Sequence, residues 1–138
     1  MASIRKEFTV AVPASQVWDA LRDFANVHRR LAAGFVVDSV AEEDGAVRRI
    51  TFANGMQARE RLVTRDEAGM RLVYTAEGGR TTHYNAAVQV IEEAGGRSRF
   101  VWLVDLLPDA LAPAIDGMMN TGAKAMQAQL EMPATGVA

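Results

Sequence analysis

Five short turn sequences divide the middle of this chain into six segments of strand length. The turns are rich in glycine, asparagine and aspartate, which accept the backbone angles of tight turns. Hairpin signals at such regular intervals predict an antiparallel meander. The six predicted strands are Phe35–Glu42, Val47–Phe52, Met56–Arg65, Met70–Ala76, Thr82–Ile91 and Ser98–Leu107.

A strand and two short helices are predicted before the meander. Alternating apolar and polar residues indicate a half-buried strand that ends at Pro13. Ser15 is a candidate N-cap for a helix over Gln16–Phe24. A second helix, at about Asn26–Ala32, follows almost without a linker.

One long helix is predicted after the meander. The segment Asp109–Met132 is rich in Ala, Met, Leu and Gln, and its helix begins at Asp109 or after Pro113. We expect a single domain over residues 1–138, with a core at 1–132 and a frayed tail at 133–138. A curved antiparallel sheet of about seven strands, with this helix across its concave face, is an α+β fold that leaves space between the layers.

The hairpin at Asn54-Gly55 places two charged residues in the predicted core. A two-residue loop would align Ile50 with an arginine on the apolar face, whereas a three-residue loop aligns it with Ala58. We therefore predict the three-residue loop, in which Arg48 and Glu60 are cross-strand neighbours that point inward. Because buried charges are costly unless paired, we expect an ion pair. The pair is either purely structural or a polar anchor for the carbonyl or hydroxyl group of a ligand.

The alternation of side chains along a strand also places His83 away from any catalytic arrangement. With a three-residue loop at Ala94-Gly95-Gly96, Tyr84 faces inward while His83 and Asp105 face solvent. His28 is expected on the surface near a pocket rim, or alternatively acts as a general base at the entrance. Two histidines and no cysteine predict no metal site.

The long helix carries an apolar stripe on its predicted inner face. The stripe fits core packing, or else Met119, Gly122 and Met126 form one wall of an adaptable ligand pocket. Glycine weakens a helix unless close approach is required, and we expect Gly122 to leave room in that wall. The stripe consists of Ile115, Met118, Met119, Gly122, Met126 and Leu130.

An ordered set of short motifs resembles the START-like SRPBCC superfamily, also called the helix-grip or birch-pollen-allergen fold. The similarity is greatest to its polyketide cyclase/dehydrase and lipid-transport branch and covers roughly residues 3 to 131. One departure is Arg30-Leu31-Ala32, where many members of the superfamily have Trp-x-Pro after the second helix. The resemblance is carried by the junction Val12–Leu21, Gly45-Ala46-Val47-Arg48, Asn54-Gly55, Glu60-Arg61-Leu62 with Asp66, Tyr74, Tyr84 and Trp102.

The resemblance implies a helix-grip protein that binds a small, mainly hydrophobic ligand, such as a lipid, a polyketide-like molecule or an aromatic compound. The alternative is an aromatase/cyclase or dehydrase that acts on a poly-β-keto chain, for which the inward candidates are Glu60, Arg48, Tyr74 and Tyr84. No cofactor is expected. The predicted cavity residues are Phe52, Arg48, Glu60, Tyr74, Tyr84, Trp102, Met119, Gly122 and Met126.

Charge and composition exclude several other classes of function. The net charge is −2, with 15 basic and 17 acidic residues, so nucleic acid is not an expected partner. The longest apolar runs are too short for membrane insertion, and the N-terminus lacks a secretion-signal pattern. We therefore expect a cytoplasmic protein, and the sequence leaves its oligomeric state open.

Overall fold

The computed structural model describes residues 1–132, so the expectation of a frayed tail at 133–138 lies outside the described residues. Seven antiparallel strands form one sheet in the order β1-β7-β6-β5-β4-β3-β2. The prediction of an α+β helix-grip fold is confirmed. The strands are β1 (Ala2–Val10), β2 (Val36–Glu42), β3 (Val47–Phe52), β4 (Gln57–Asp66), β5 (Arg71–Glu77), β6 (His83–Glu93) and β7 (Arg97–Leu107). The helices are α1 (Ala14–Arg22), α2 (Val27–Arg30) and α3 (Ala112–Leu130).

Strands β2 to β7 form a meander, and β1 extends the sheet by lying next to β7. Each strand from β2 to β7 pairs with the next along the chain, and β1 pairs with β7 over its whole length. The helix α3 covers the concave face and contacts β1 through two polar interactions. Lys6 Nζ lies 2.5 Å from a carboxylate oxygen of Asp116, and Gln127 Nε2 donates to the Thr9 carbonyl at 2.9 Å.

The short helices differ from the predicted ones at their ends. The prediction of Ser15 as N-cap is wrong, because α1 begins at Ala14 and its N-cap is Pro13. The proline carbonyl accepts a hydrogen bond from the backbone N–H of Gln16 at 3.0 Å, so Ser15 already lies in the first turn. The second predicted helix is shorter than expected and consists of a 3₁₀ turn at Phe24–Asn26 followed by α2.

The predicted register of the β3–β4 hairpin is confirmed. Arg48 lies opposite Glu60, and Ile50 lies opposite Ala58. Gly55 has a φ of 89°, the left-handed conformation that closes a three-residue loop at low cost for glycine. This register brings both charged side chains to the concave face, beneath α3.

Candidate functional site

A large cavity, which we call the outer chamber, lies between the sheet and α3. Its volume is about 570 Å³. Apolar side chains from the sheet and from α3 form its walls, among them Phe52, Ile115 and Met118. The rim is polar and includes Asn54 and the loop at residues 78–81. The outer chamber therefore combines an apolar interior with a polar opening.

A second, small cavity, the inner chamber, lies deeper under α3 and has a volume of about 30 Å³. Phe35 and Phe52 line both chambers and pack edge to face, with ring centroids 5.3 Å apart. A water-sized group needs roughly 10–15 Å³ of such space. The inner chamber can therefore hold one or two atoms of that size, and no ring. Its polar lining consists of Arg48, Glu60, Tyr74, Tyr84 and Trp102.

The Arg48–Glu60 ion pair forms one side of the inner chamber. Arg48 Nε donates to Glu60 Oε1 at 2.8 Å, and Nη2 lies 2.7 Å from the same oxygen. Nη1 donates to the Phe24 carbonyl at 2.9 Å. The guanidinium carbon lies 3.9 Å from the ring centroid of Phe24 and 4.8 Å from that of Tyr74. Because the two side chains are only 6% and 7% exposed, the charge of Arg48 is both neutralised and shielded.

The other carboxylate oxygen of Glu60 has no such partner. No residue within 1–132 donates a hydrogen bond to Oε2, and Glu60 lines both chambers. A carboxylate oxygen accepts hydrogen bonds only. Oε2 is therefore available to a hydroxyl proton of a ligand.

The two tyrosines of the chain lie beside this carboxylate. Burial raises the pKa of Tyr74, and the negative charge of Glu60 raises it further. Burial likewise raises the pKa of Tyr84, with smaller contributions from Tyr74 and Glu60. Both phenols are therefore neutral at ordinary pH and keep their protons as hydrogen-bond donors.

Trp102 supplies an unpaired donor. Its Nε1–H is buried and has no hydrogen-bond partner within residues 1–132. The Tyr74 hydroxyl lies close to the indole, and this proximity slightly lowers the pKa of the phenol. The two groups do not form a hydrogen bond. An unsatisfied buried donor costs about 1–3 kcal/mol. The Trp102 Nε1–H is thus left without a hydrogen bond, although the Tyr74 hydroxyl lies nearby.

The structure brings most of the predicted cavity residues together. Phe52, Glu60 and Tyr84 line both chambers. The side chains that line only the inner chamber include Arg48, Tyr74, Trp102 and Met126. Met119 lines neither chamber and is fully buried in the core.

The expectation that Gly122 leaves room in the helix wall is wrong. A Cβ atom at this position would lie 2.9 Å from Phe35 Cε2 and 3.3 Å from Trp102 Cη2. Gly122 lines neither chamber. The glycine therefore permits close packing of α3 on two aromatic rings and does not create open space.

Sequence reasoning missed part of the wall. Phe35, which begins the predicted strand Phe35–Glu42 but precedes β2 in the structure, lines both chambers, and Gly117 lines the outer one. Ile115 and Met118 line the outer chamber and belong to the predicted apolar stripe of α3. The predicted pocket wall of Met119, Gly122 and Met126 lies about one helical turn too far toward the C-terminus. Unlike Gly122, Gly117 borders open space, since a Cβ there would meet no atom within 4 Å.

Neither histidine lies in the chambers. His83 is exposed, and the neighbouring Asn85 lies opposite Asp105, in agreement with the predicted hairpin register. His28 is half-buried, and its Nδ1 has no hydrogen-bond partner within residues 1–132. In this described part of the chain, no three histidine or carboxylate side chains are grouped where they could hold a metal ion.

The sequence matches a known protein family over residues 1–135, described as polyketide cyclase / dehydrase and lipid transport. The chain belongs to this family. A search of curated proteins by sequence found no match. The family model therefore places the chain among polyketide cyclase/dehydrase-like and lipid-transport-like proteins.

Solved structures share the fold of this member of the polyketide cyclase / dehydrase and lipid transport family. The protein XoxI from Bacillus cereus superposes with a TM-score of 0.84 at 22% identity, covering 94% of this chain and 96% of XoxI. A START superfamily protein from Mycobacterium smegmatis gives a TM-score of 0.73 at 11% identity, with coverage of 94% and 97%. The di-domain ARO/CYC protein BexL, from the BE-7585A biosynthetic pathway, gives 0.76 at 18% identity and covers 95% of this chain but 45% of BexL.

Within residues 1–132, no helix is both long enough and apolar enough to cross a bilayer.

Proposed function

We propose that this protein binds a small, mainly hydrophobic molecule between its sheet and α3. The observation that carries the proposal is the outer chamber, whose volume of about 570 Å³ falls within the range of about 300–1,000 Å³ of small-molecule sites. Its apolar wall would bury the body of the ligand. The family description, which includes lipid transport, supports the same class of ligand.

The inner chamber gives the ligand an orientation. It meets the outer chamber at Phe35 and Phe52 and contains the polar groups of Glu60, Tyr84 and Trp102. Ligand sites combine an apolar lining with a few convergent polar groups that fix orientation. The polar end of the ligand therefore enters first, and its apolar body remains in the outer chamber.

A neutral dye whose fluorescence rises in apolar surroundings, Nile red, tests the binding proposal. We expect saturable binding to the parent protein at one site. Gly117 lines the outer chamber, and a Cβ at this position would have no atom within 4 Å, so Gly117→Leu adds a bulky side chain at the chamber wall from a position where its Cβ displaces no neighbour. We expect Gly117→Leu to weaken Nile red binding at least tenfold.

Gly117→Ala is the matched control, since it makes the same helix-favouring change without filling the chamber. Its dye affinity should remain within twofold of the parent value. Absence of saturable binding to the parent would reject the proposal. Equal affinities of the Leu and Ala variants would place the dye elsewhere on the protein.

A second candidate function is a polyketide cyclase or dehydrase. The open Oε2 of Glu60 favours it, because this oxygen could accept a proton while the neutral phenol of Tyr74 or Tyr84 donates one. The fold similarity to the ARO/CYC protein BexL is in line with this chemistry.

The two candidates differ in a product assay. A poly-β-ketone that cyclises spontaneously is incubated with the parent protein or with Glu60→Gln, and its products, many of them isomers of equal mass, are separated by chromatography. A product distribution that the parent changes and Glu60→Gln does not, with Nile red binding retained, would support an enzyme. An unchanged distribution would leave ligand binding as the function.

A further inference from the structure

The inner chamber has an acceptor and a donor but no available positive charge. From this combination we propose that the protein selects neutral hydrophobic ligands that carry a hydroxyl group, such as phenols, and rejects anionic ones such as carboxylates. The inference rests on the proposed binding function and adds the chemical class of the ligand head group.

Arg48 cannot serve as an anion site. Three of its nitrogens are directed to Glu60 and to the Phe24 carbonyl, and its planar face lies against two aromatic rings. A carboxylate or phosphate would have to displace Glu60 to reach it. Among the residues that line the two chambers, the other basic side chain is Arg80, at the exposed rim of the outer chamber.

Glu60 favours a proton donor and opposes a negative charge. Its Oε2 receives no hydrogen bond from residues 1–132 and borders both chambers. A hydroxyl proton directed at this oxygen would satisfy it, and bonds to a charged acceptor are stronger than bonds between neutral groups. A carboxylate at the same position has no proton to donate, so it would leave Oε2 unsatisfied and lose its own hydration in a poorly solvated site.

Trp102 supplies the complementary donor. Its Nε1–H has no acceptor within residues 1–132, and indole nitrogen can only donate. A hydroxyl oxygen can accept this hydrogen while its own proton goes to Glu60. The inner chamber, at about 30 Å³, has room for such a group but not for a ring. The ring must therefore remain in the outer chamber, which contacts the inner one through Glu60 and Tyr84.

Three probes with one carbon skeleton test this selection: 2-naphthol, its apolar isostere 2-methylnaphthalene, and 2-naphthoate. Their affinities are measured at neutral pH by displacement of Nile red. We expect 2-naphthol to bind at least tenfold more tightly than either of the others. Because Arg80 could hold a carboxylate at the rim, the naphthoate measurement is repeated in Arg80→Gln.

The indole N–H resonances provide a readout in the unaltered protein. The chain has two tryptophans, and Trp18 Nε1 already donates to Glu67 Oε1 at 2.7 Å, away from the residues that line the chambers. We expect 2-naphthol to shift the Trp102 resonance downfield and to leave the Trp18 resonance in place. The isostere 2-methylnaphthalene should not produce the downfield shift. Trp102→Phe should remove the preference for 2-naphthol, and Trp18→Phe should retain it.

The possible failures are distinguishable. A preference for 2-naphthol of less than threefold, or binding of 2-naphthoate to Arg80→Gln as tight as that of 2-naphthol, overturns the proposed selection while Nile red binding still supports the cavity. An unshifted Trp102 resonance at saturation with 2-naphthol overturns the assigned donor. If neither Nile red nor any probe binds, the proposed function itself is rejected.

Discussion

Gly122 of α3 packs directly against the ring of Phe35, with space for a hydrogen atom but not for a methyl group. A Cβ at this glycine would lie 2.9 Å from Phe35 Cε2. Phe35 in turn contacts Phe52 and separates the two chambers. The position of one glycine thus sets how close the helix comes to the aromatic wall of the site.

Alanine substitutions at the two glycines of α3 should have opposite effects on stability. Gly117→Ala should raise the free energy of unfolding by about 0.5–1 kcal/mol, because alanine favours the helix and its Cβ meets nothing within 4 Å. Gly122→Ala makes the same propensity gain but overpacks the contact with Phe35, at a cost of about 1–3 kcal/mol. Chemical denaturation of both variants measures the difference. A Gly122→Ala variant as stable as Gly117→Ala would show that the rings of Phe35 and Trp102 can move aside at little cost in free energy.

The ion pair of the inner chamber should be sensitive to loss of one partner. Glu60→Gln leaves a shielded guanidinium without its counter-charge and should lower the free energy of unfolding by about 3–5 kcal/mol. Replacement of both partners, Arg48→Met with Glu60→Leu, should cost less than the sum of the single changes.

An exposed pair provides the control for this measurement. Glu93 lies 2.8 Å from Arg99 with its side chain 28% exposed, so Glu93→Gln should cost at most about 1 kcal/mol. Equal midpoints of denaturation for Glu60→Gln and Glu93→Gln would mean that the buried pair contributes no more than a surface one.

High pH should ionise the tyrosines only with loss of the fold. The chain has two tyrosines, and the pKa of each is raised by burial above its ordinary value of about 10. The folded state therefore holds these protons more tightly than the unfolded state does. The contribution to stability is complete below pH 10 or so and declines as the pH rises further. Phenolate absorbance that appears near pH 10 in a protein with unchanged circular dichroism would contradict the burial of these hydroxyls.

Low pH should release a contact between α1 and the β4–β5 turn. Glu67 accepts hydrogen bonds from Arg22 and from Trp18 Nε1, and these partners lower the pKa of its carboxyl to about 2. The depressed pKa means that this contribution to stability is present above about pH 4.5 and is lost as the pH falls toward 2. The Trp18 indole resonance reports the titration directly, and Glu67→Gln should abolish its pH dependence. A Trp18 resonance that titrates near pH 4.5 would show that Arg22 does not hold the carboxylate.

Much of the fold could be predicted because the local signals agree with one another. Only the three-residue loop at Gly55 aligns the apolar residues of β3 with those of β4, and the facing of Arg48 and Glu60 follows from that alignment. In this hairpin, the face of the sheet that a side chain occupies depends on residues that are close to it in sequence. The inward direction of Arg48 and Glu60 could therefore be predicted from the sequence.

The walls of the site depend on distances that local patterns do not contain. Helical spacing places Met118, Met119 and Gly122 on one face of α3, but it does not say how far along the sheet the helix lies. Glycine in a helix face has two meanings, open space or close approach, and the sequence does not separate them. Phe35 begins the predicted strand Phe35–Glu42 but precedes β2 in the structure, so the alternation of side chains along that strand does not extend to it.

The pairing of β1 with β7 also has a consequence for synthesis on the ribosome. Of the seven strands of the sheet, the first to be synthesised has the last as its partner, with Ile4 opposite Val104, so the five strands between them must be made before β1 can pair. Strand pairs so distant in sequence close slowly, because a long loop must be ordered first. Until β7 is made, the backbone N–H and C=O groups of β1 have no strand partner, and its inward side chains, such as Ile4, have no finished core to enter.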